Sequence, residues 1–232
     1  MKTLKTILIA LLLPLAALAQ PSHDAWNVLL QKYVTVSGKV NYKMFKADRS
    51  SLEAYLKTLA TETPRDAWTR ADKMAYWINA YNAFTVKLIV DNYPLSSITA
   101  LDNGKPWDVQ RIELGGKKYS LNQIENEIIR PQFKDPRIHF ALNCAAKSCP
   151  PLYNRAFTPA NLEKALTERT RRFLNDPNAN TLSAERVQVS KIFEWYAADF
   201  GSLPAFLAKY SGKVVNSNAA VDYLDYDWRL NE

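Results

Sequence analysis

A chain of 232 residues, 47% of them hydrophobic, can bury one sizeable core, and no internal repeat, low-complexity tract or Gly/Ser linker divides it. The formal net charge is +7, but the basic residues are dispersed, and in an exported protein that balance excludes nucleic acid as a partner. The densest basic group, Arg169, Arg171 and Arg172, falls on a predicted helix and reads as a solvated face, with weak attraction to an anionic envelope polymer as the alternative.

The first residues read as an export signal. Lys2 and Lys5 precede an apolar run from Ile7 to Ala19, and Ala17-Leu18-Ala19 has the small-x-small pattern of a signal-peptidase site. The run is too short to span a bilayer as a helix, so 1–19 is expected to be cleaved rather than retained as an anchor. Residues 20–232 then form a single domain, periplasmic or secreted, with no stable membrane insertion. His23 is expected to be mobile, because it lies close behind the cleavage site.

Trp26, Leu29, Leu30 and Tyr33 keep the spacing of a one-sided helix, and Leu52 to Leu59 resumes a helical pattern. The strongest helix is predicted over Ala71 to Asn92 and ends before Pro94. Its centre, Tyr76 to Phe84, is apolar on nearly all sides and is therefore expected to be buried. Gly115-Gly116 between two short alternating runs predicts a hairpin. Ser120 and Gln123 form a capping box, opening a helix that Pro131 should stop.

Arg137 to Asn143 reads as a short buried strand, Cys144 to Phe157 as an irregular loop, and Thr158-Pro159 as the start of a helix to about Leu174. The remainder alternates a strand (Val187 to Ile192), two helices (Phe193 to Phe200, Leu203 to Tyr210) and a last strand (Ala220 to Trp228). This order predicts an α+β fold: a helical N-terminal part whose buried central helix packs on a mainly antiparallel sheet.

Chemistry concentrates in one segment. Beyond the leader there are two histidines, and only His139 lies inside a predicted element. Cys144 and Cys149 are the only cysteines. A catalytic reading makes Cys144 a nucleophile, His139 its proton carrier, and Glu125 or Asn82 the group that orients the imidazole. An extended strand would hold His139 and Cys144 about 16 Å apart, so that reading requires the chain to reverse just beyond Asn143.

The alternatives are a Cys144–Cys149 disulfide, favoured by an oxidising compartment, and two inert thiols. Glu125 is otherwise an exposed helix carboxylate. Asn79 and Asn82 share a helix face, where they either satisfy internal carbonyls or line a site. Asp225 and Asp227 would share a strand face, which reads as solvated, with a hard cation as the alternative. There is no His-rich or Cys-rich metal spacing and no phosphate-binding glycine loop, so neither metal nor cofactor is expected.

The run Ala75 to Phe84, the segment Ile124-Glu125-Asn126, the stretch His139 to Cys144 continuing to Ser148-Cys149-Pro150-Pro151-Leu152, and the ending Tyr226 to Asn231 together resemble the family of domain of unknown function 547, in its bacterial exported branch. A helix before a His-bearing segment is also loosely similar to papain-like and transglutaminase-like thiol enzymes. Those place their cysteine at the start of the central helix, whereas here both cysteines follow His139.

The resulting expectation is a thiol-dependent amide-bond hydrolase or acyl transferase acting on a peptide or amino-acid conjugate. Its rival is a non-catalytic ligand- or partner-binding domain with a Cys144–Cys149 disulfide and Trp77, Trp107, Trp195 and Trp228 lining a groove. A third reading makes these aromatics simply core.

Overall fold

The computed structural model describes residues 20–232, so the expected leader at 1–19 lies outside the described residues. Within them, helices α1 (Asp24–Tyr33), α2 (Tyr42–Ala47) and α3 (Arg49–Thr61) lead to the long α4 (Arg70–Asn92). Thr69 and Asp72 close a reciprocal capping box at the start of α4, satisfying backbone N–H groups that the first turn would leave open.

Strands β1 (Ile112–Leu114) and β2 (Lys117–Tyr119) form the expected antiparallel hairpin. Gly115 and Gly116 both adopt positive φ, as a two-residue hairpin turn requires. A widened π-helical segment, Gln123–Ile129, then runs directly into α5 (Arg130–Phe133). Later come α6 (Leu162–Leu174), β3 (Thr181–Leu182), β4 (Arg186–Val189), α7 (Ile192–Trp195), α8 (Ala197–Phe200), α9 (Leu203–Ser211) and β5 (Ala220–Tyr223). β4 pairs antiparallel with β3 and parallel with β5. The fold is α+β.

Several local expectations are corrected. Arg137 to Asn143 is not a strand: Pro136–Phe140 is a 3-10 helix whose N-cap, Asp135, accepts from the Arg137 N–H. Proline at the first helical position and an aspartate before it outweigh the β-forming side chains that follow. Pro131 does not stop the preceding helix either. It sits at the junction where the π-helical turns pass into α5, and the stop falls at left-handed Lys134.

Asp225 and Asp227 lie beyond β5, so no strand aligns their carboxylates, and Asp227 is engaged by Arg229. His23 is buried, with Nδ1 2.8 Å from the Tyr55 hydroxyl. Its ring docks against the aromatic stack of Trp26 and Tyr55, which anchors a segment that chain position alone would leave loose.

Two apolar cores result. The larger gathers α1 to α4, the hairpin and the π-helical segment, and α4 is packed mainly by α2, α3 and that segment rather than by a sheet. The smaller joins Phe140, Phe173, Phe193, Phe200 and Phe206 with the inward residues of β4. The 3-10 helix straddles the seam: Ile138 belongs to the first core and Phe140 to the second. His139 emerges between them.

Candidate active site

Four polar side chains hold the loop that follows the 3-10 helix. Asn79 on α4 donates to the Phe157 carbonyl (2.7 Å) and accepts from the Phe157 N–H (3.0 Å). Asn82, one turn on, donates to the Ala141 carbonyl (2.9 Å) and accepts from the Asn143 N–H (2.9 Å). Each buried amide thus behaves as a strand neighbour would, satisfying backbone that has no other partner.

Asn143 continues the job inside the loop, accepting from the Ala145 N–H and donating to the Pro150 carbonyl. Asn231, on the extended C-terminal strap, donates to Asn143 (3.1 Å). Ala145 takes positive φ (64°), uncommon for a residue with a Cβ, and the backbone turns sharply there. The turn immediately follows Cys144.

That bend carries Cys144 into a cleft at the seam of the two cores, a cavity of about 200 Å³ whose wall also includes His139 and Glu125. Cys144 is half-buried and Cys149 buried, and both are free thiols. The disulfide weighed as an alternative is not formed: the two side chains are neighbours, with the Cys144 N–H donating to Cys149 Sγ (2.9 Å), but they are not bridged.

Burial pushes the Cys144 thiol up. Hydrogen bonds from Cys149, from the Tyr226 hydroxyl at 3.2 Å and from the Ala146 backbone outweigh that and hold it below the ordinary thiol value. Burial, reinforced by Cys144, pushes Cys149 well above that value. Of the pair, Cys144 is the sulfur prepared to carry negative charge.

His139 is held on both sides. Its Nε2 lies 2.8 Å from Asp199 Oδ2, and its Nδ1 faces Glu125 Oε1 at 3.8 Å. The Tyr196 ring stacks on the imidazole, with centroids 4.0 Å apart. Arg130 grips Asp199 with two N–H groups, at 2.7 and 2.9 Å.

The hydrogen bond from His139, helped by Arg130, holds the Asp199 carboxyl well below the usual carboxylate range against the opposing effect of burial. Ionised Asp199 can only accept, so Nε2 carries the hydrogen and Nδ1 is the nitrogen free to exchange a proton. Burial raises the Tyr196 hydroxyl far above its ordinary value, and its bond to Glu125 adds to this.

The structure brings three of the four expected site residues into one cleft: Cys144, His139 and Glu125. Asn82 is close in the fold, but its amide is committed to the loop backbone, so it supports the turn and does not orient the imidazole. The orienting group is Asp199, which sequence reasoning missed. Tyr196 and Asp199 stand three residues apart on the predicted aromatic helix, and that shared face was the available signal.

Tyr226, the direct hydrogen-bond partner of Cys144 Sγ, was also missed as a site residue. Trp107, Trp195 and Trp228 line the cleft, whereas Trp77 is packed in the core against Tyr76 and Tyr119. No group of three or more His, Cys, Asp or Glu side chains is arranged to hold a metal among the described residues.

Fold and site together define an α+β protein with a cysteine and an imidazole–carboxylate pair facing one aromatic-lined cleft. Residues 65–174 match the family described as protein of unknown function, DUF547, and the matched segment contains Glu125, His139, Cys144 and Cys149. Asp199 and Tyr226 lie beyond the matched segment. No curated protein and no solved structure matches the chain.

Proposed function

We propose that this protein is an exported thiol-dependent amide-bond hydrolase or acyl transferase acting on a peptide or amino-acid conjugate. The observation that carries the reading is the cleft itself. A thiol held below its ordinary pKa shares that cleft with an imidazole oriented by an ionised aspartate.

Cys144 Sγ attacks the substrate carbonyl carbon as a thiolate, with Tyr226 and Cys149 as the hydrogen-bond partners that favour its charge. Both nitrogens of His139 face carboxylates, so its role falls on the other side of the reaction. The proton given up by the Cys144 thiol is held on His139 Nδ1, which delivers it to the leaving amine as the C–N bond breaks, producing a Cys144 thioester and the free amine. Water or an acceptor amine then adds to the thioester, returns a proton to the imidazole, and releases the acid or the new amide with the thiolate regenerated. Asp199 holds the imidazole in place through its 2.8 Å hydrogen bond to Nε2. Location outside the cytoplasm follows from the leader expected at 1–19.

The test is selective alkylation with iodoacetamide, read by mass spectrometry against pH, together with a search for acyl-Cys144 after mixing with peptidyl and aminoacyl anilides. Cys144 should react in the native protein with a midpoint below that of an ordinary thiol, and Tyr226→Phe should raise that midpoint. Two thiols that react only after unfolding, or turnover that survives Cys144→Ser, would end the hydrolase reading.

A further inference from the structure

The chain carries 30 lysines and arginines, yet none of them stands on the wall of the cleft among the described residues. The one carboxylate on that wall is Glu125, which is only 5% exposed. Among the described residues it makes no salt bridge to lysine or arginine; the Tyr196 hydroxyl hydrogen-bonds it, and His139 Nδ1 stands 3.8 Å away, too long for a hydrogen bond. Nearby Arg130 is engaged by Asp199. A phenol and a more distant imidazole leave acceptor capacity on this buried carboxylate, so a positive group brought into the cleft gains a counter-charge there.

The rest of the wall has matching chemistry. Trp195 stacks on Trp228 (5.8 Å, 23° between planes), Trp228 meets Trp107 at 5.6 Å, and Tyr226 contacts both Trp195 and Trp228 within 4.8 Å. The C-terminal strap creates this arrangement. Tyr226 and Trp228 both line the cleft, while Ser148 accepts from the Asp227 N–H between them and the Lys147 N–H donates to the Arg229 carbonyl just beyond. Trp195 is 45% exposed and stands at the open side. Aromatic faces are electron-rich and attract cations, and an anionic ligand would meet both these faces and Glu125 unfavourably.

We infer that the cleft selects a conjugate bearing an ammonium group, seated against Trp107, Trp195, Trp228 and Tyr226 with Glu125 as its counter-charge. This deepens the thiol reading, since it names the substrate class of the same cleft, an amide whose neighbouring group is a free amine. The binding itself does not need the sulfur. An ammonium held there lies beside Cys144, whose negative charge it also favours.

The experiment uses three probes of one size, n-butylammonium, n-butanol and butyrate, titrated into the full chain while the tryptophan indole N–H signals are followed by NMR. Butylammonium should shift the signals of Trp107, Trp195 and Trp228 and bind about tenfold or more tightly than butanol, with butyrate weakest. Glu125→Gln should reduce the preference for the cation over butanol to about threefold or less. If that variant does not fold, Trp195→Ala, at an exposed position, should weaken butylammonium binding while leaving the far-ultraviolet spectrum unchanged.

Cys144→Ser should keep the cation preference. Retained preference with no acylation of Cys144 in the wild type would remove the enzyme reading and leave this one standing. Acylation without cation preference would do the reverse. Butanol or butyrate binding as tightly as butylammonium, or no indole shift with any probe, overturns the inference.

Discussion

His23 makes the native state sensitive to mild acid. Its Nδ1 is 2.8 Å from the Tyr55 hydroxyl, and its Nε2 is buried with no partner. Protonation would put a positive charge on a buried ring with one unpartnered nitrogen, so burial pushes the imidazole down from 6.5 to about 4 against the opposing effect of the nearby Asp24 carboxylate. In the unfolded chain the same group titrates near 6.5.

Between these values the unfolded state binds the proton and the native state does not, so stability rises with pH across the window. The contribution is complete above about pH 6.5 and is lost as pH falls toward 4. A depression of this size corresponds to about 3 kcal/mol.

Urea unfolding at pH 7.5 and pH 4, on the wild type and on His23→Gln, isolates the effect, because every other ionisable group is common to the two proteins. The wild type should lose about 3 kcal/mol more than the variant over that range. A wild-type-minus-variant difference that stays flat within about 0.5 kcal/mol, or an NMR titration placing His23 near 6.5, refutes the argument.

Two further outcomes follow from the packing around the site. Asp199→Asn removes the ionised acceptor from His139 and the partner of Arg130. It should cost about 2 kcal/mol of stability and lower turnover on anilide substrates by about 10²–10⁴-fold, with a displaced pH–rate profile that a purely structural defect would not produce. Gly38 has φ near +92°, and a Cβ there would lie 2.3 Å from the Cβ of Pro151 in the loop beyond Cys149. Gly38→Ala should therefore destabilise by about 2–4 kcal/mol in urea unfolding, and a change below about 1 kcal/mol would show that the loop yields.

What could be read along the chain was set by short-range forces. The buried character of α4, the Gly115-Gly116 hairpin and the Ser120–Gln123 capping box each depend on residues within a few positions of one another, and all three stand in the structure. The segment around His139 was misread because a proline and an N-cap aspartate at its start counted for more than its apolar content. The reversal beyond Asn143 was recognised as a requirement, but its cause was out of view. Asn82, Asn143 and Asn231 build it across separations of 61 and 88 residues.

The sequence by itself determined that one segment carries the thiols and the only imidazole in a predicted element, that a buried helix precedes it, and that the chain folds as α+β. Tertiary structure alone decided which carboxylate grips His139, which hydroxyl reaches Cys144, and that His23 is locked into the core. Helix and turn formation are local free-energy balances written in neighbouring residues. A hydrogen bond between His139 and Asp199, 60 positions apart, exists only because two separate apolar cores close against each other and leave the polar groups facing across the seam.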